Sequence, residues 1–185
     1  MRKIAVFTCL LFGFAGLATA QIPTSGNIFF GYSYYNTDLS TIDRANTNGW
    51  EATAEGKILP FVGIVADFSG TYGGQNFAFA CPVGPGPGPC AIHENLSEHN
   101  FLFGPRVSMS VGRFRPFAEG MIGVGHVNAI SFATDTSFAS ALGGGIDYRL
   151  IRVLAWRFEG DYIHTSFFGS HQNNARLSTG IVLRF

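Results

Sequence analysis

The sequence predicts an all-β fold, an eight-stranded antiparallel up-and-down transmembrane β-barrel. Segments of alternating apolar and polar residues, each about 10 to 12 residues long, recur along the chain and are typical of strands in such a barrel. The connections between these segments alternate between long and short, as they do in barrels whose two ends face different compartments. The composition, with 46% hydrophobic, 15% aromatic and only 13% charged residues, is unusual for a water-soluble domain.

The N-terminal segment has the features of a secretory signal peptide. Arg2 and Lys3 form a basic start, residues 4–17 are an apolar run, and residues 18–20 (Ala-Thr-Ala) are a small-residue cleavage site. We therefore expect residues 1–20 to be removed on export, which leaves the barrel domain at 21–185. No later stretch approaches the roughly 20 unbroken apolar residues of a membrane-spanning helix, so a membrane protein of this sequence must span with strands.

The strands are assigned from the alternation of residue types. The last one shows the pattern most clearly, because Leu177, Ile181 and Leu183 all fall on one face. The eight predicted strands are residues 26–36, 48–58, 61–71, 99–111, 116–127, 137–149, 153–164 and 174–185. Pro105 cannot donate a backbone hydrogen bond, so we expect a bulge or irregular pairing in the fourth strand.

The lengths of the connections predict an orientation. The short connections are residues 59–60, 112–115 and 150–152, and the long ones are 37–47, 72–98, 128–136 and 165–173. With an even number of strands, both termini lie at the end that carries the short turns. In outer-membrane barrels that end is periplasmic, and the long loops are extracellular.

The distribution of glycine indicates which face lines the interior. Alternation alone does not decide this, because a soluble periplasmic lipocalin-like carrier would alternate equally well with its apolar face inward. Here eight glycines share a face with the strand charges: Gly31, Gly63, Gly104, Gly123, Gly125, Gly143, Gly145 and Gly180. An eight-stranded barrel has an interior just wide enough for side chains, so this face suits a crowded lumen. The other face ends in tyrosine and tryptophan, as expected at lipid interfaces.

On this assignment, acidic and basic side chains form a charge network in the lumen. Its predicted members are Glu51, Glu55, Lys57, Asp67, Arg106, Glu119, Asp147, Arg157, Glu159, Asp161 and Arg176, with Arg149 and Arg184 as further bases. Because an unpaired buried charge costs several kcal/mol, the near balance of acids and bases predicts ion pairs across the barrel. Such a network is either a static polar core or a gate for a narrow ion path.

Charge and motifs argue against several other functions. Removal of Arg2 and Lys3 with the signal peptide leaves two fewer basic residues than the 12 acidic ones. The resulting net negative charge disfavours nucleic acid as a partner. No phosphate-binding loop or cofactor motif is present. We therefore predict no cofactor, no metal site, no catalytic residues and a monomeric barrel.

The sequence His164-Thr165-Ser166 supports an enzyme alternative. It resembles the His-x-Ser element of the outer-membrane lipid A deacylases, which are also eight-stranded barrels. In that family a carboxylate orients the histidine, and an Asn follows the serine. Here the following residue is Phe167, and no acidic residue lies between His164 and Phe185.

Cys81 and Cys90 flank a Pro-Gly repeat within the connection 72–98. A cysteine pair in an exported chain predicts a disulfide, and closing a loop of this size stabilises a fold by roughly 2 to 3 kcal/mol in the chain-entropy picture. A zinc site formed by Cys81, Cys90, His93 and His99 is the alternative.

Residues 21–185 resemble the OmpA-like, or porin-family, outer-membrane β-barrel domains. The ending NNARLSTGIVLRF and the segment ALGGGIDYRL with its short turn carry the resemblance. In that family the closing strand ends in an aromatic residue that the barrel-assembly machinery recognises, and Phe185 holds that position here. The resemblance implies a protein of the bacterial cell envelope, embedded in outer-membrane lipids, with a structural, surface-binding or narrow-pore role.

Overall fold

A computed structural model describes residues 25–37, 45–83, 86–129 and 133–185 of the chain. Side chains are described for these residues except 37, 45, 75–83, 86–94, 129, 133 and 168. The predicted signal peptide lies outside the described residues.

Eight antiparallel strands close into a barrel, which confirms the predicted fold class. Each strand pairs with the next in sequence order, and β8 pairs back with β1. The strands are β1 (Gly26–Thr37), β2 (Ala45–Lys57), β3 (Val62–Val83), β4 (Gly86–Ser108), β5 (Phe114–Ala129), β6 (Ala133–Arg149), β7 (Leu154–Thr165) and β8 (Gln172–Arg184). A 3-10 helix, Phe167–Gly169, lies between β7 and β8. Among the described residues, no helix is long and apolar enough to cross a membrane.

β3 and β4 are much longer than the sequence predicted. β2 pairs with β3 only as far as Tyr72, and β5 pairs with β4 only from Leu96. Beyond these points β3 and β4 continue to pair with each other, from Gly73 opposite Leu96 to Val83 opposite Gly86. We call this two-stranded ribbon, residues 73–83 and 86–96, the hairpin arm.

The prediction that residues 72–98 form a long connection between two strands was therefore wrong, because β3 continues to Val83 and β4 begins at Gly86. Proline and glycine are depleted in strands, and the repeat between the two cysteines concealed the alternation. In a two-stranded ribbon, however, each strand has a free edge where a proline without an N–H group is tolerated.

The two ends of the barrel differ. At one end the connections are short, residues 58–61, 109–113 and 150–153, and Gly112 adopts a left-handed φ of 61° in the second of these turns. The first and last strands meet at the same end, because Gly26 N donates to Phe185 O (3.0 Å) and Phe185 N donates to Gly26 O (3.1 Å). We call this the short-turn end and the opposite one the loop end.

Pairing between β4 and β5 is interrupted at Pro105. Phe103 pairs with Ile122 and Arg106 with Glu119, while no pair is formed between them. The register is the same on both sides of the gap, so the predicted irregularity is present without an inserted residue.

The two faces of the barrel are partitioned as in a barrel surrounded by lipid. Large apolar side chains point outward and are exposed, for example Phe30 (64%), Leu142 (72%) and Phe158 (58%). Charged side chains point inward, and those of Arg106 and Arg157 have no exposed surface. A lipocalin-like carrier would need the reverse arrangement, with an apolar interior.

Candidate functional site: the luminal charge network

Alternate residues of the strands bring the predicted charges into the lumen. Ten of the eleven predicted network residues are buried, namely Glu51, Glu55, Asp67, Arg106, Glu119, Asp147, Arg157, Glu159, Asp161 and Arg176. The eleventh, Lys57, is half-buried at the short-turn end. Its Nζ donates to Pro60 O (3.0 Å) and Ser108 Oγ (3.3 Å), so within the described residues it joins no ion pair. Arg149 is exposed, outside the lumen.

Arg106 on β4 is the centre of a first group of ion pairs. Its Nε donates to Glu119 on the neighbouring strand β5. Its Nη2 reaches Glu159 Oε1 on β7 at 3.2 Å, and its Nη1 lies 3.5 Å from Glu55 Oε2 on β2. A single guanidinium therefore links three carboxylates from different walls of the barrel.

Arg157 on β7 is held by both charge and aromatic contact. Its Nε donates to Asp147 Oδ1 at 2.7 Å, and its Nη1 lies 3.4 Å from Glu159 Oε2. The guanidinium carbon lies 5.0 Å from the ring centre of Phe29 and 4.6 Å from that of Phe117, within cation–π range. Apolar luminal residues thus support the charge network as well as fill space.

Arg115 belongs to the network, although the sequence placed it in a turn. β5 begins at Phe114 instead of residue 116, which turns Arg115 inward. Its Nη2 donates to Glu55 Oε1 and to Ser108 Oγ, both at 2.7 Å. The sequence could have indicated this position, because Arg115 is two residues before Phe117 and would lie on the same face of β5 if the predicted strand began earlier. Arg184, a predicted additional base, lies at the rim and reaches Asp147 Oδ2 at 3.2 Å.

Arg176 on β8 is the centre of a second group, nearer the loop end. It forms a bidentate pair with Asp67 on β3, with Nη1–Oδ1 at 3.0 Å and Nη2–Oδ2 at 2.9 Å. Its Nη2 also donates to Asp161 Oδ2 at 2.7 Å, and its Nε lies 3.3 Å from Glu51 Oε2. We call Arg176, Glu51, Asp67 and Asp161 the Arg176 cluster.

Glu98 is a further buried carboxylate that the sequence had assigned to a connection. Its Oε1 accepts hydrogen bonds from Tyr35 Oη and from Asn100 Nδ2, both at 3.0 Å. It lies on the extended part of β4 that was not predicted as a strand, and this explains why it was missed.

Glycine makes room for the network on the wall formed by β6. Gly143 lies opposite Asp161 and Gly145 opposite Glu159. A Cβ atom on Gly143 would overlap the Asp161 carboxylate and lie 2.8 Å from Gly160 O, while one on Gly145 would lie 2.8 Å from Phe117 Cζ. The Asp161 carboxylate and the Phe117 ring therefore occupy the volume that side chains at these two positions would need.

Several contacts cross the lumen. Arg176 on β8 reaches Asp67 on β3, Arg106 on β4 reaches Glu159 on β7, and Arg157 reaches Thr53 on β2 (3.3 Å). Each of these contacts joins strands that are three positions apart around the eight-stranded barrel. The side chains therefore bridge the interior instead of lining an open channel.

The residues of the enzyme alternative are not arranged as that hypothesis required. His164 Nδ1 contacts Asn173 Oδ1 at 2.8 Å, whereas Ser166 Oγ contacts His171 Nδ1 at 3.1 Å. The rings of His164 and His171 stack with centres 5.3 Å apart. Within the described residues, neither histidine forms an ion pair with a carboxylate.

The remaining predicted residues lie at opposite ends of the molecule. Phe185 is at the short-turn end, where its side chain is 65% exposed. Cys81 and Cys90 lie in the hairpin arm, opposite Gly88 and Phe79 respectively. Their side chains, and that of His93, are not among those described, so the disulfide and its zinc alternative remain predictions.

These features define a class of protein, the small closed β-barrel with an apolar exterior and a charged interior. No protein-family model matches the sequence, and no curated protein matches it. Solved outer-membrane barrels do match the structure. Ail, the attachment invasion locus protein of Yersinia pestis, has a TM-score of 0.60 at 14% identity, covering 87% of this chain and 98% of its own.

Two further barrels have the same fold. Neisserial surface protein A has a TM-score of 0.65 at 8% identity, covering 86% of this chain and 97% of its own. The N-terminal barrel domain of Pseudomonas aeruginosa OprF has a TM-score of 0.53 at 11% identity, covering 86% of this chain and 99% of its own. At these identities, the similarity shows the shared fold of outer-membrane β-barrels.

Proposed function

We propose that the protein is an integral β-barrel of the bacterial outer membrane, with a structural role and a surface-exposed hairpin arm. The observation that carries this proposal is the partition of side chains, with exposed apolar residues outside and buried charges inside. In water the outward face would be a large unfavourable apolar surface, whereas in lipid it is matched to its surroundings. The similarity to outer-membrane barrels and the predicted signal peptide, cleaved after Ala20, support the same location.

The proposed orientation follows the connection lengths. The short-turn end, with both termini, faces the periplasm, and the loop end faces the outside. Phe185 is then positioned as the assembly signal read by the barrel-assembly machinery. The hairpin arm extends into the medium. A disulfide between Cys81 and Cys90 would anchor its Pro-Gly tip, and it requires a backbone shift there, because the pairing places the two cysteines diagonally.

The arm is the part of the molecule best suited to a binding role. Beyond the barrel rim, each of its strands has an edge without a neighbouring strand among the described residues. Such edges offer backbone N–H and C=O groups to an extended partner segment. Ail is an attachment invasion locus protein, and the free edges of the arm suit a surface-binding role of this general kind.

The test of the location is outer-membrane fractionation followed by electrophoresis with and without boiling. We expect the protein in the outer-membrane fraction and a faster-migrating band before boiling, because intact barrels resist unfolding by detergent. Recovery in the soluble periplasmic fraction, with a single mobility, would exclude the proposal.

A conductance measurement separates a closed barrel from a narrow pore. The cross-lumen contacts of Arg106, Arg157 and Arg176 favour a closed barrel. In planar bilayers at neutral pH we expect no steady current above that of protein-free bilayers. A stable ohmic conductance, increased further by Arg176→Met, would instead establish the narrow-pore role.

We also propose that the barrel is not an enzyme, since His164 is hydrogen-bonded to Asn173 and not to Ser166. The contact between Ser166 and His171 is the specific reason to test the deacylase alternative. Mass spectrometry of lipid A from cells with and without the protein should give identical acyl patterns. A deacylated product that is lost in Ser166→Ala, but kept in the neighbouring control Ser170→Ala, would establish the enzyme.

A further inference from the structure

The two halves of the lumen differ in charge balance. Near the short-turn end, four guanidinium groups meet four carboxylates: Arg106, Arg115, Arg157 and Arg184 with Glu55, Glu119, Asp147 and Glu159. In the Arg176 cluster, one guanidinium meets three carboxylates. Two negative charges there lack a counter-charge among the described residues, and leaving them buried and uncompensated would cost several kcal/mol each.

Glu98 increases this excess toward the loop end. Its hydrogen bonds come from the neutral groups of Tyr35 and Asn100, and among the side chains that the structure describes it forms no ion pair. The short-turn half of the lumen, which also holds the half-buried Lys57, therefore has no excess of acidic groups, while the half near the loop end is acidic.

Hydrogen bonding gives an independent indication of the same asymmetry. Near the loop end, the buried atoms without a partner among the described residues are all oxygens: Ser33 Oγ, Glu51 Oε1, Thr71 Oγ1, Asn100 Oδ1 and Asp161 Oδ1. Near the short-turn end, three of the four such atoms without a hydrogen bond are guanidinium nitrogens, namely Arg106 Nη1, Arg115 Nε and Arg184 Nε, and the fourth is Glu119 Oε1. Arg106 Nη1 nevertheless lies 3.5 Å from Glu55 Oε2. The half near the loop end thus has oxygen ligands available and lacks a positive partner for them.

Ser33 and Thr71 are neutral, so their unsatisfied hydroxyls are not a consequence of the acidic cluster. Both side chains are almost completely buried, with 0% and 3% exposure. They lie on either side of Gly49 in the strand pairing. Gly49 is two residues from Glu51 on the same luminal face of β2, and the backbone of Gly70 and Thr71 packs closely against it.

The carboxylates are spaced as one cation requires. Glu51, Glu159 and Asp161 each offer an oxygen, and these atoms all lie within 4.8 Å of one another. Ca²⁺ binds oxygen at about 2.3 to 2.6 Å, so oxygens on opposite sides of one ion are up to about 5 Å apart. Arg176 uses Glu51 Oε2 and Asp161 Oδ2, which leaves the second oxygen of each carboxylate for another partner.

We propose that one divalent cation of the Ca²⁺ or Mg²⁺ class binds at the edge of the Arg176 cluster, through Glu51 and Asp161 of the cluster and Glu159 of the neighbouring group of ion pairs. The two positive charges of the ion match the two uncompensated negative charges of the cluster. Carboxylate and hydroxyl oxygens are the ligands that these hard cations prefer. The alternative explanation is that two of the carboxyl groups are protonated, which would also remove the excess negative charge. The experiment below distinguishes cation binding from protonation.

The experiment uses the protein refolded into detergent micelles free of lipopolysaccharide, after treatment with EDTA. CaCl₂ or MgCl₂ is titrated by calorimetry, and the unfolding temperature is followed by the gel shift on heating. We expect one saturable site, half-filled at roughly 0.1 to 1 mM Ca²⁺ as in extracellular calcium modules. Added Ca²⁺ should raise the unfolding temperature, whereas NaCl of equal ionic strength should not.

Matched variants locate the site. Glu51→Gln should weaken Ca²⁺ binding by about 10-fold or more. Glu55→Gln makes the same change four residues along β2, in the short-turn half, and should leave the affinity unchanged. Equal affinity in Glu51→Gln and wild type, or no saturable binding of either ion up to about 10 mM, would overturn the proposal in favour of protonated carboxyls.

If Glu51→Gln does not fold, Tb³⁺ replaces Ca²⁺ as a probe of the wild-type barrel. Tyr35 lies directly opposite Arg176 in the β1–β8 pairing, so it is placed to sensitise a lanthanide bound in the Arg176 cluster. We expect Tb³⁺ emission that Ca²⁺ displaces. Emission no greater than that of empty micelles would contradict the site.

Discussion

Replacing Arg176 with methionine tests whether ion pairs hold the core of the barrel together. Arg176 is 1% exposed and contacts Asp67 at 2.9 Å, Asp161 at 2.7 Å and Glu51 at 3.3 Å. Methionine fills much of the volume but leaves three buried carboxylates without their guanidinium. Removing one partner from a buried pair costs about 3 to 5 kcal/mol, and we expect Arg176→Met to lower the free energy of unfolding by that amount.

Equilibrium unfolding in urea, with the barrel in detergent micelles, measures this effect. With a slope of about 2 kcal/mol per molar urea, the midpoint should fall by roughly 2 M. Arg184→Met is the matched control, because Arg184 is at the rim and, among the described residues, its guanidinium pairs with Asp147 alone, at 3.2 Å with 19% of its side chain exposed. Its loss should cost no more than about 1 kcal/mol. If Arg176→Met shifts the midpoint no further than Arg184→Met, the carboxylates are not held by Arg176 as described.

Two further substitutions and one deletion test the packing, the lipid face and the assembly signal. Gly143→Ala places a Cβ against the Asp161 carboxylate and should destabilise the barrel by about 1 to 3 kcal/mol. Gly120→Ala is the control and should be nearly neutral, because a Cβ there would lie 3.9 Å from its nearest neighbour. Equal urea midpoints for the two variants would contradict the packing argument. Leu142→Arg on the apolar belt should cost about 2 to 4 kcal/mol in lipid vesicles and Leu150→Arg in a short turn at most about 1, so similar costs would argue against a lipid-facing belt. Deleting Phe185 should reduce the amount of barrel in the outer membrane, measured by quantitative blotting of membrane fractions, while an unchanged amount would exclude its role as an assembly signal.

The fold was predictable because one face of each strand had a single chemical character. In β8 the apolar side chains Leu177 and Leu183 are exposed, and Arg176 is buried, as the alternation indicated. A shift of one residue would move every apolar side chain to the other face. The pattern therefore specifies the register as well as the strand.

The ends of the strands were less predictable, and the missed site residues lie there. Arg115 and Glu98 are both on strand extensions that carry turn-forming or polar residues, where the alternation is weak. Their partners, Glu55 for Arg115 and Tyr35 for Glu98, are far away in sequence. Such contacts depend on how the strands are staggered around the barrel, which a single sequence does not specify.

The geometry of the network favours a static core over a gate. To open a continuous path along the lumen, side chains such as Arg176 and Arg106 must break their ion pairs. These pairs include partners on strands across the barrel as well as on adjacent strands. These side chains have little space into which they could move, because the Asp161 carboxylate already packs against Gly143 and the Phe117 ring against Gly145. Breaking a single buried pair costs about 3 to 5 kcal/mol, which keeps an alternative state at a population of roughly 0.02 to 0.6%. Since several pairs must open together, the closed barrel should dominate unless a change in bound cations or protons first neutralises the carboxylates.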